Sequence, residues 1–172
     1  MADQPAEWHD FYLLIGTAAA TLIGLTFVAA SVGTGATFNA ERAANWQSFL
    51  TPTVLHFSAV LLACLAGVAP VGAFLGVLLL AIGIAGAVWG TRHWIAMRHR
   101  GLTRQIDLAD RLLYLRLPII GYLLLVVAAV VLLVHMAFGL VVLALALVLL
   151  LLLGIRNAWD MTLWIVVRRP DS

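Results

Sequence analysis

Long apolar runs alternate along the chain with short polar or glycine-containing stretches. A helix needs about 20 mostly apolar residues to cross ~30 Å of hydrocarbon. Runs of this kind fall at 11–33, 52–68, 72–94, 112–135 and 139–158. The pattern predicts an all-α, polytopic transmembrane bundle of five spans, a single integral membrane domain over 1–172. Thr51 and Pro52 read as the N-cap and first helical position of the second span, which makes 34–50 a loop. The stretch Gly67 to Gly72, with Pro70 inside it, reads as a tight turn between the second and third spans.

The last two spans follow from length. Between Leu117 and Ile155 no side chain is charged, save His135 when protonated. As one helix this stretch would extend roughly 58 Å at ~1.5 Å per residue, nearly twice the hydrocarbon thickness. It is therefore predicted to fold back at His135 to Gly139, its polar interruption with a glycine. Spans four and five are Leu- and Val-rich all round, as in Leu147 to Leu153, and are expected to face lipid, with spans one to three at the packed centre.

Charge placement sets the orientation. Arg92, Arg98, Arg100, Arg104, Arg111 and Arg116 flank the connection between spans three and four, and Arg168 and Arg169 follow span five. Asp3, Glu7 and Asp10 precede span one with no basic side chain among them. Cytoplasmic loops carry the arginine excess in membrane proteins. The N-terminus is therefore expected outside and the C-terminus in the cytoplasm, an arrangement that needs an odd number of spans. The acidic start lacks the basic region and cleavage pattern of a signal peptide, so the first run is expected to be a retained span. Segments 95–111 and 159–169 read as amphipathic cytoplasmic pieces. Leu102, Ile106, Ala109 and Leu113 share a face, and Asp107/Arg111 and Arg156/Asp160 sit at i,i+4. Trp159 and Trp164 suit headgroup level.

Composition narrows the class further. Hydrophobic residues make up 64% of the chain and charged residues 10%. A soluble domain carries about 25% charged residues, so too few are present to cover a water-facing surface. This excludes an ordinary cytosolic enzyme, a disordered chain and a nucleic-acid-binding domain. All ten basic residues are arginine, and they sit beside apolar runs, so the +2 net charge is a topology signal. The single cysteine, Cys64, excludes an intrachain disulfide or thiolate cluster.

Candidate interface residues stand out in two spans. Gly76, Gly83 and Gly90 recur every seventh residue, with Gly72 and Gly86 on the same side, and Gly16, Ala20 and Gly24 form a small-xxx-small run. Small residues let helix backbones approach closely in lipid, either within the protomer or between subunits. Thr17, Thr21, Gly24, Val28, Ser31 and Gly35 make a narrow stripe on span one. Its hydroxyls could line a pore or bond their own i−4 carbonyls. His56 is an ionisable side chain inside span two, aligned with Ala59, Ala63 and Gly67, and Thr51, Thr53 and Ser58 make that end polar. It is a candidate for a pathway or for a helix-to-helix hydrogen bond. Arg98, Arg100 and Arg104 would form a basic cytoplasmic mouth.

Enzyme chemistry finds little foothold. Asp107 and Asp110 could bind a cation and a phosphate, but a solvated helix balancing its arginines explains them as well. No Ser/His/Asp set, phosphate-cradling glycine loop or HExxH is present. The five histidines place no pair on facing helices at matched depth, so no haem, other cofactor or metal site is expected.

The opening Trp8-His9-Asp10-Phe11-Tyr12, the run Gly16 to Ala29, and Arg156-Asn157-Ala158-Trp159-Asp160 with the basic pair beyond it resemble small inner-membrane proteins of bacteria. The likeness covers the first span and the last helix and implies no activity. Lysine-free, Ala- and Leu-rich usage suggests a GC-rich bacterium. The expected role is a homo-oligomeric channel for small ions, with anions favoured by the arginines. Thr17, Thr21, Ser31 and His56 are then the candidate pore-lining residues. The alternative is an accessory or scaffold subunit of a larger membrane complex. The expected partners are the lipid bilayer, further copies of the chain or other membrane subunits, and no nucleic acid.

Overall fold

The computed structural model describes residues 6–33, 40–69, 74–99, 116–134 and 137–167, with side chains over 8–31, 50–69, 74–96, 116–134, 137–160 and 162. The described residues form five helices and no strand: α1 (Ala6–Gly33), α2 (Ala40–Val68), α3 (Phe74–His99), α4 (Leu117–Leu133) and α5 (Phe138–Val167). Four of them contain stretches long and apolar enough to cross a membrane: Trp8–Ser31, Leu50–Val68, Phe74–Ala96 and Phe138–Asp160. The apolar α4 has 17 residues, roughly 26 Å of helix. It carries Pro118 in its first turn, where the missing N–H has no intrahelical acceptor to lose.

The long apolar stretch after Leu117 is folded back on itself. α4 ends at Leu133 and α5 begins at Phe138. At the corner the N–H of Val134 donates to the carbonyl of Val130, and that of Leu140 to the carbonyl of Ala137. Gly139 lies against Leu132, with the position of a Cβ only 3.1 Å from the Leu132 backbone nitrogen. No side chain larger than hydrogen fits between the two helices there.

Neighbouring helices are antiparallel, as glycine contacts record directly. Going up α3, Gly76, Gly83 and Gly90 meet Leu133, Val126 and Ile119 going down α4. Both series step by seven, so the glycine repeat of α3 is spent on α4 of the same protomer. Gly121 on α4 meets Leu150 on α5, Gly154 on α5 meets Phe57 on α2, and Gly16 on α1 meets Cys64 on α2. The packing order is α3, α4, α5, α2, α1, with a smaller α2–α3 contact closing the first four into a ring. α1 docks outside that ring, mainly on α2.

Two sequence expectations are corrected. The helix of span two was expected to start at Thr51 and Pro52, but α2 begins at Ala40 and passes through Pro52, while its apolar span, Leu50–Val68, lies where expected. Residues 40–44 are mostly alanine with Glu41 and Arg42, all strong helix formers. Pro52 removes one donor and leaves the carbonyl of residue 48 without its i+4 partner. Spans four and five were expected to face lipid around a centre of spans one to three. Instead 56% of the most apolar stretch of α5 is buried within the protomer, against 17% for α1. Leu125, Leu143, Leu147 and Leu150 are fully buried. In lipid a leucine on the inside and one on the outside have equally apolar surroundings, so composition could not separate them.

Candidate functional site

A polar pair joins α2 to α4 inside the ring. Thr53, His56, Phe57, Val60 and Ala63 face inward along α2 at helical spacing and are all buried. His56 is 1% exposed and Tyr122 is fully buried. His56 Nδ1 lies 2.9 Å from Tyr122 Oη, with ring centroids 5.6 Å apart. Either group can donate, depending on which imidazole nitrogen carries the hydrogen. The Tyr122 ring is seated by α3, where Gly86 leaves room for its Cγ, Cδ1 and Cε1 edge. Phe57, the next residue on α2, is seated by Gly154 of α5 in the same way. Three glycine-free side chains and two glycines thus fix where four helices meet. Asn157, one turn beyond Gly154, is also buried. The arrangement can latch α2 to α4 in an apolar interior, because an unpaired imidazole or hydroxyl there would be costly.

The hydroxyl stripe of α1 occupies a different surface. Thr17, Thr21, Gly24, Val28 and Ser31 are exposed, as is Leu13. On a helix advancing about 100° per residue, all of these lie within roughly 40° of Thr17. Leu14, Leu25 and Phe27, each more than half exposed, flank that line at roughly 60–80°. The middle of the uncovered face of α1 therefore carries Thr17, Thr21, Gly24 and Ser31 together with Leu13 and Val28, and its shoulders are large and apolar. Thr21 Oγ1 donates to the Thr17 carbonyl at 2.9 Å and Ser31 Oγ to the Phe27 carbonyl at 2.9 Å. Such back-bonding satisfies the hydroxyl donors within the helix. A Cβ on Gly24 would meet nothing within 4 Å, whereas one on Gly16 would touch Cys64 Cβ at 3.0 Å. Ala20 is exposed beside them. The small-residue run is thus divided, with Gly16 packed inside the protomer and Ala20 and Gly24 facing outward. His56 does not share this surface with Thr17, Thr21 and Ser31.

At the other end of α1, Trp8, Phe11 and Tyr12 form an aromatic cluster. Trp8 stacks on Tyr12 at 6.3 Å and Phe11 meets Tyr12 edge-on at 5.6 Å. Gly67 of α2 lies against the Tyr12 ring, with room for no larger residue: a Cβ would come within 2.9 Å of Cδ2.

The basic mouth lies outside the described residues: Arg100 and Arg104 wholly, and Arg98 in its side chain. Arg92, Arg116 and Arg156 are exposed near the same end of the bundle, and Arg156 Nε approaches Asp160 Oδ2 at 3.5 Å. His93 stacks on Trp89 at 5.3 Å, nearly parallel. Among the described residues no group of three or more His, Cys, Asp or Glu is placed to hold a metal ion.

Sequence reasoning singled out His56 and missed its partner. Tyr122 was findable, as the one hydroxyl in Leu117–Leu133. Compared with protein families, curated proteins and solved structures, the chain matches none.

Proposed function

We propose that the chain is a five-crossing protein of the bacterial inner membrane, N-terminus outside and C-terminus cytoplasmic, whose copies associate through α1 around a path for small ions. One observation carries this reading. The uncovered face of α1 has Thr17, Thr21, Gly24 and Ser31 along its middle. On that line these four outnumber the apolar Leu13 and Val28, while Leu14, Leu25 and Phe27 sit to either side. Small residues favour close helix contact in lipid, and hydroxyl-bearing residues on an exposed face suit a narrow ion path. A closed symmetric ring would put this stripe on its axis. The arginines near the α3–α4 connection would raise local anion concentration at one mouth. His56, buried against Tyr122, then serves the protomer's stability and lies off the path.

The same face supports a second reading, an accessory subunit whose α1 docks on a different membrane protein. Mass in mild detergent, corrected for bound detergent, separates the two. A discrete multiple of 18.5 kDa, followed by ion flux in liposomes that Thr21→Leu reduces, supports the channel. A single chain, or stable association with another protein, supports the accessory role. Reporter fusions at the C-terminus test orientation.

A further inference from the structure

Three arginines stand on the outside of the bundle at one depth. Gly90 against Ile119 fixes the antiparallel register of α3 and α4, and Gly121 against Leu150 that of α4 and α5. Counted along those helices, Arg92 and Arg156 each fall about one residue from the level of Arg116, ~1.5 Å of rise. All three side chains are exposed. Each ends an outward apolar line. Val88 and Ile84 lead away from Arg92, Ile120 and Val127 from Arg116, and Leu152 and Leu145 from Arg156, all exposed and at helical spacing.

The length of those lines identifies the depth. Their far ends are Phe74, Val134 and Phe138, each more than half exposed. Phe74 to Arg92, Val134 to Arg116 and Phe138 to Arg156 cover the same 18 steps along the chain, roughly 27 Å of helix. That is close to the ~30 Å of a hydrocarbon core, so the arginines mark one of its boundaries. Their long stems can run along the apolar lines and bring the guanidinium groups to the headgroup layer. Trp159, just beyond Arg156, is 62% exposed, and tryptophan favours that layer.

Charge selects what meets them there. Arg156 Nε approaches Asp160 Oδ2 at 3.5 Å, whereas Arg92 and Arg116 have no carboxylate partner among the described residues. A guanidinium matches a phosphate with two parallel hydrogen bonds. A zwitterionic headgroup brings its own ammonium to compete for that phosphate, and an anionic one does not.

We propose that Arg92 and Arg116 hold the phosphates of anionic phospholipids at this boundary, with acyl chains lying along the apolar lines of α3 and α4. The arginines supply the countercharge, and the exposed lines supply the surface that distinguishes a lipid from a free anion. The inference goes beyond ion conduction. It depends on α3 and α4 crossing a bilayer and not on α1 lining a path.

The test uses the full-length protein in mild detergent. Native mass spectrometry compares retention of phosphatidylglycerol with that of phosphatidylcholine carrying the same acyl chains. Wild type should favour phosphatidylglycerol, and Arg92→Gln and Arg116→Gln should each lower that preference roughly 5-fold. Asp160→Asn removes the carboxylate facing Arg156 and should raise it. Arg168→Gln/Arg169→Gln, a change of equal charge elsewhere, should leave it unchanged. Matching unfolding temperatures confirm that the variants are folded. Equal retention of the two lipids by wild type overturns the proposal, as does a preference that survives Arg92→Gln/Arg116→Gln. A loss in Arg168→Gln/Arg169→Gln as large as in Arg92→Gln/Arg116→Gln would mean that net charge alone attracts the lipid, and the site is rejected. Displacement of phosphatidylglycerol by inorganic phosphate would make this a site for a free anion and also reject it. Arg92 and Arg116 lie away from α1, so a Gly24→Leu mass measurement tests the α1 association separately.

Discussion

The imidazole of His56 and the hydroxyl of Tyr122 lie 2.9 Å apart, 66 residues apart in the chain, in a mostly apolar interior. That bond ties α2 to α4, which are not neighbours in sequence. Tyr122→Phe removes the hydroxyl, keeps the ring against Gly86 and leaves His56 Nδ1 unpaired. It should destabilise the protomer by about 0.6–2 kcal/mol, the range for interhelical bonds in membranes and for a stranded buried polar group. Unfolding in mixed detergent measures it. The double variant His56→Leu/Tyr122→Phe should cost less than the two singles summed, because the groups act as a pair.

Glycine-to-alanine substitutions should rank by what the new methyl meets. At Gly86 it meets the rigid Tyr122 ring, and at Gly83 it meets Val126 and the Tyr122 carbonyl oxygen at 3.1 Å. Each should cost about 1–3 kcal/mol, the usual penalty for overpacking. Gly90 faces a single flexible contact, Ile119 Cγ1 at 3.2 Å, and Gly24 faces open space. Alanine at Gly90 should cost less, and at Gly24 it should be neutral or stabilising. Unfolding midpoints of the four variants provide the order, and equal effects at Gly86 and Gly24 would contradict the packing described.

Gly24→Leu should separate the fold of one chain from the association of several. The protomer has room for the side chain, so helicity and unfolding should match wild type. If α1 is the contact between copies, the detergent-corrected mass should fall to that of one chain. An unchanged multiple would move the interface to another helix.

Cys64 is buried against Gly16. A thiol reagent should label it in denaturant and leave it unmodified in the folded protein. Gly16→Leu should make it accessible by forcing α1 off α2. Rapid labelling of folded wild type would mean that α1 is not docked as described.

Arg156 and Asp160 sit one helical turn apart on α5 and approach to 3.5 Å, with Arg156 half exposed. An exposed pair of this kind is worth about 0.3–0.5 kcal/mol. Arg156→Ala should shift the unfolding midpoint by no more than that, and less at high salt.

Much of the secondary structure was legible locally. Runs of apolar residues long enough to span hydrocarbon marked where the helices lie, and the charge-free length after Leu117 required a fold-back near Gly139. Both follow from the length of a helix and the thickness of a bilayer, which need no knowledge of neighbours. Pro52 misled the reading because proline opens far more helices than it sits within, while the alanines before it carried the helix through. The candidate site was half legible. His56 stood out as an ionisable group in an apolar run, and the stripe Thr17 to Ser31 stood out by its spacing.

Which faces turn inward was decided only by tertiary structure. Lipid tails are as apolar as leucine, so the hydrophobic pattern of α4 and α5 carries no sign of inside or outside. Size complementarity across the helices made the choice, with Gly86 admitting Tyr122, Gly154 admitting Phe57, Gly121 admitting Leu150 and Gly139 admitting Leu132. Those matches buried α5, paired His56 with Tyr122, and left the small hydroxylic line of α1 uncovered. A glycine's value lies in the residue it faces, and that residue is set by the fold.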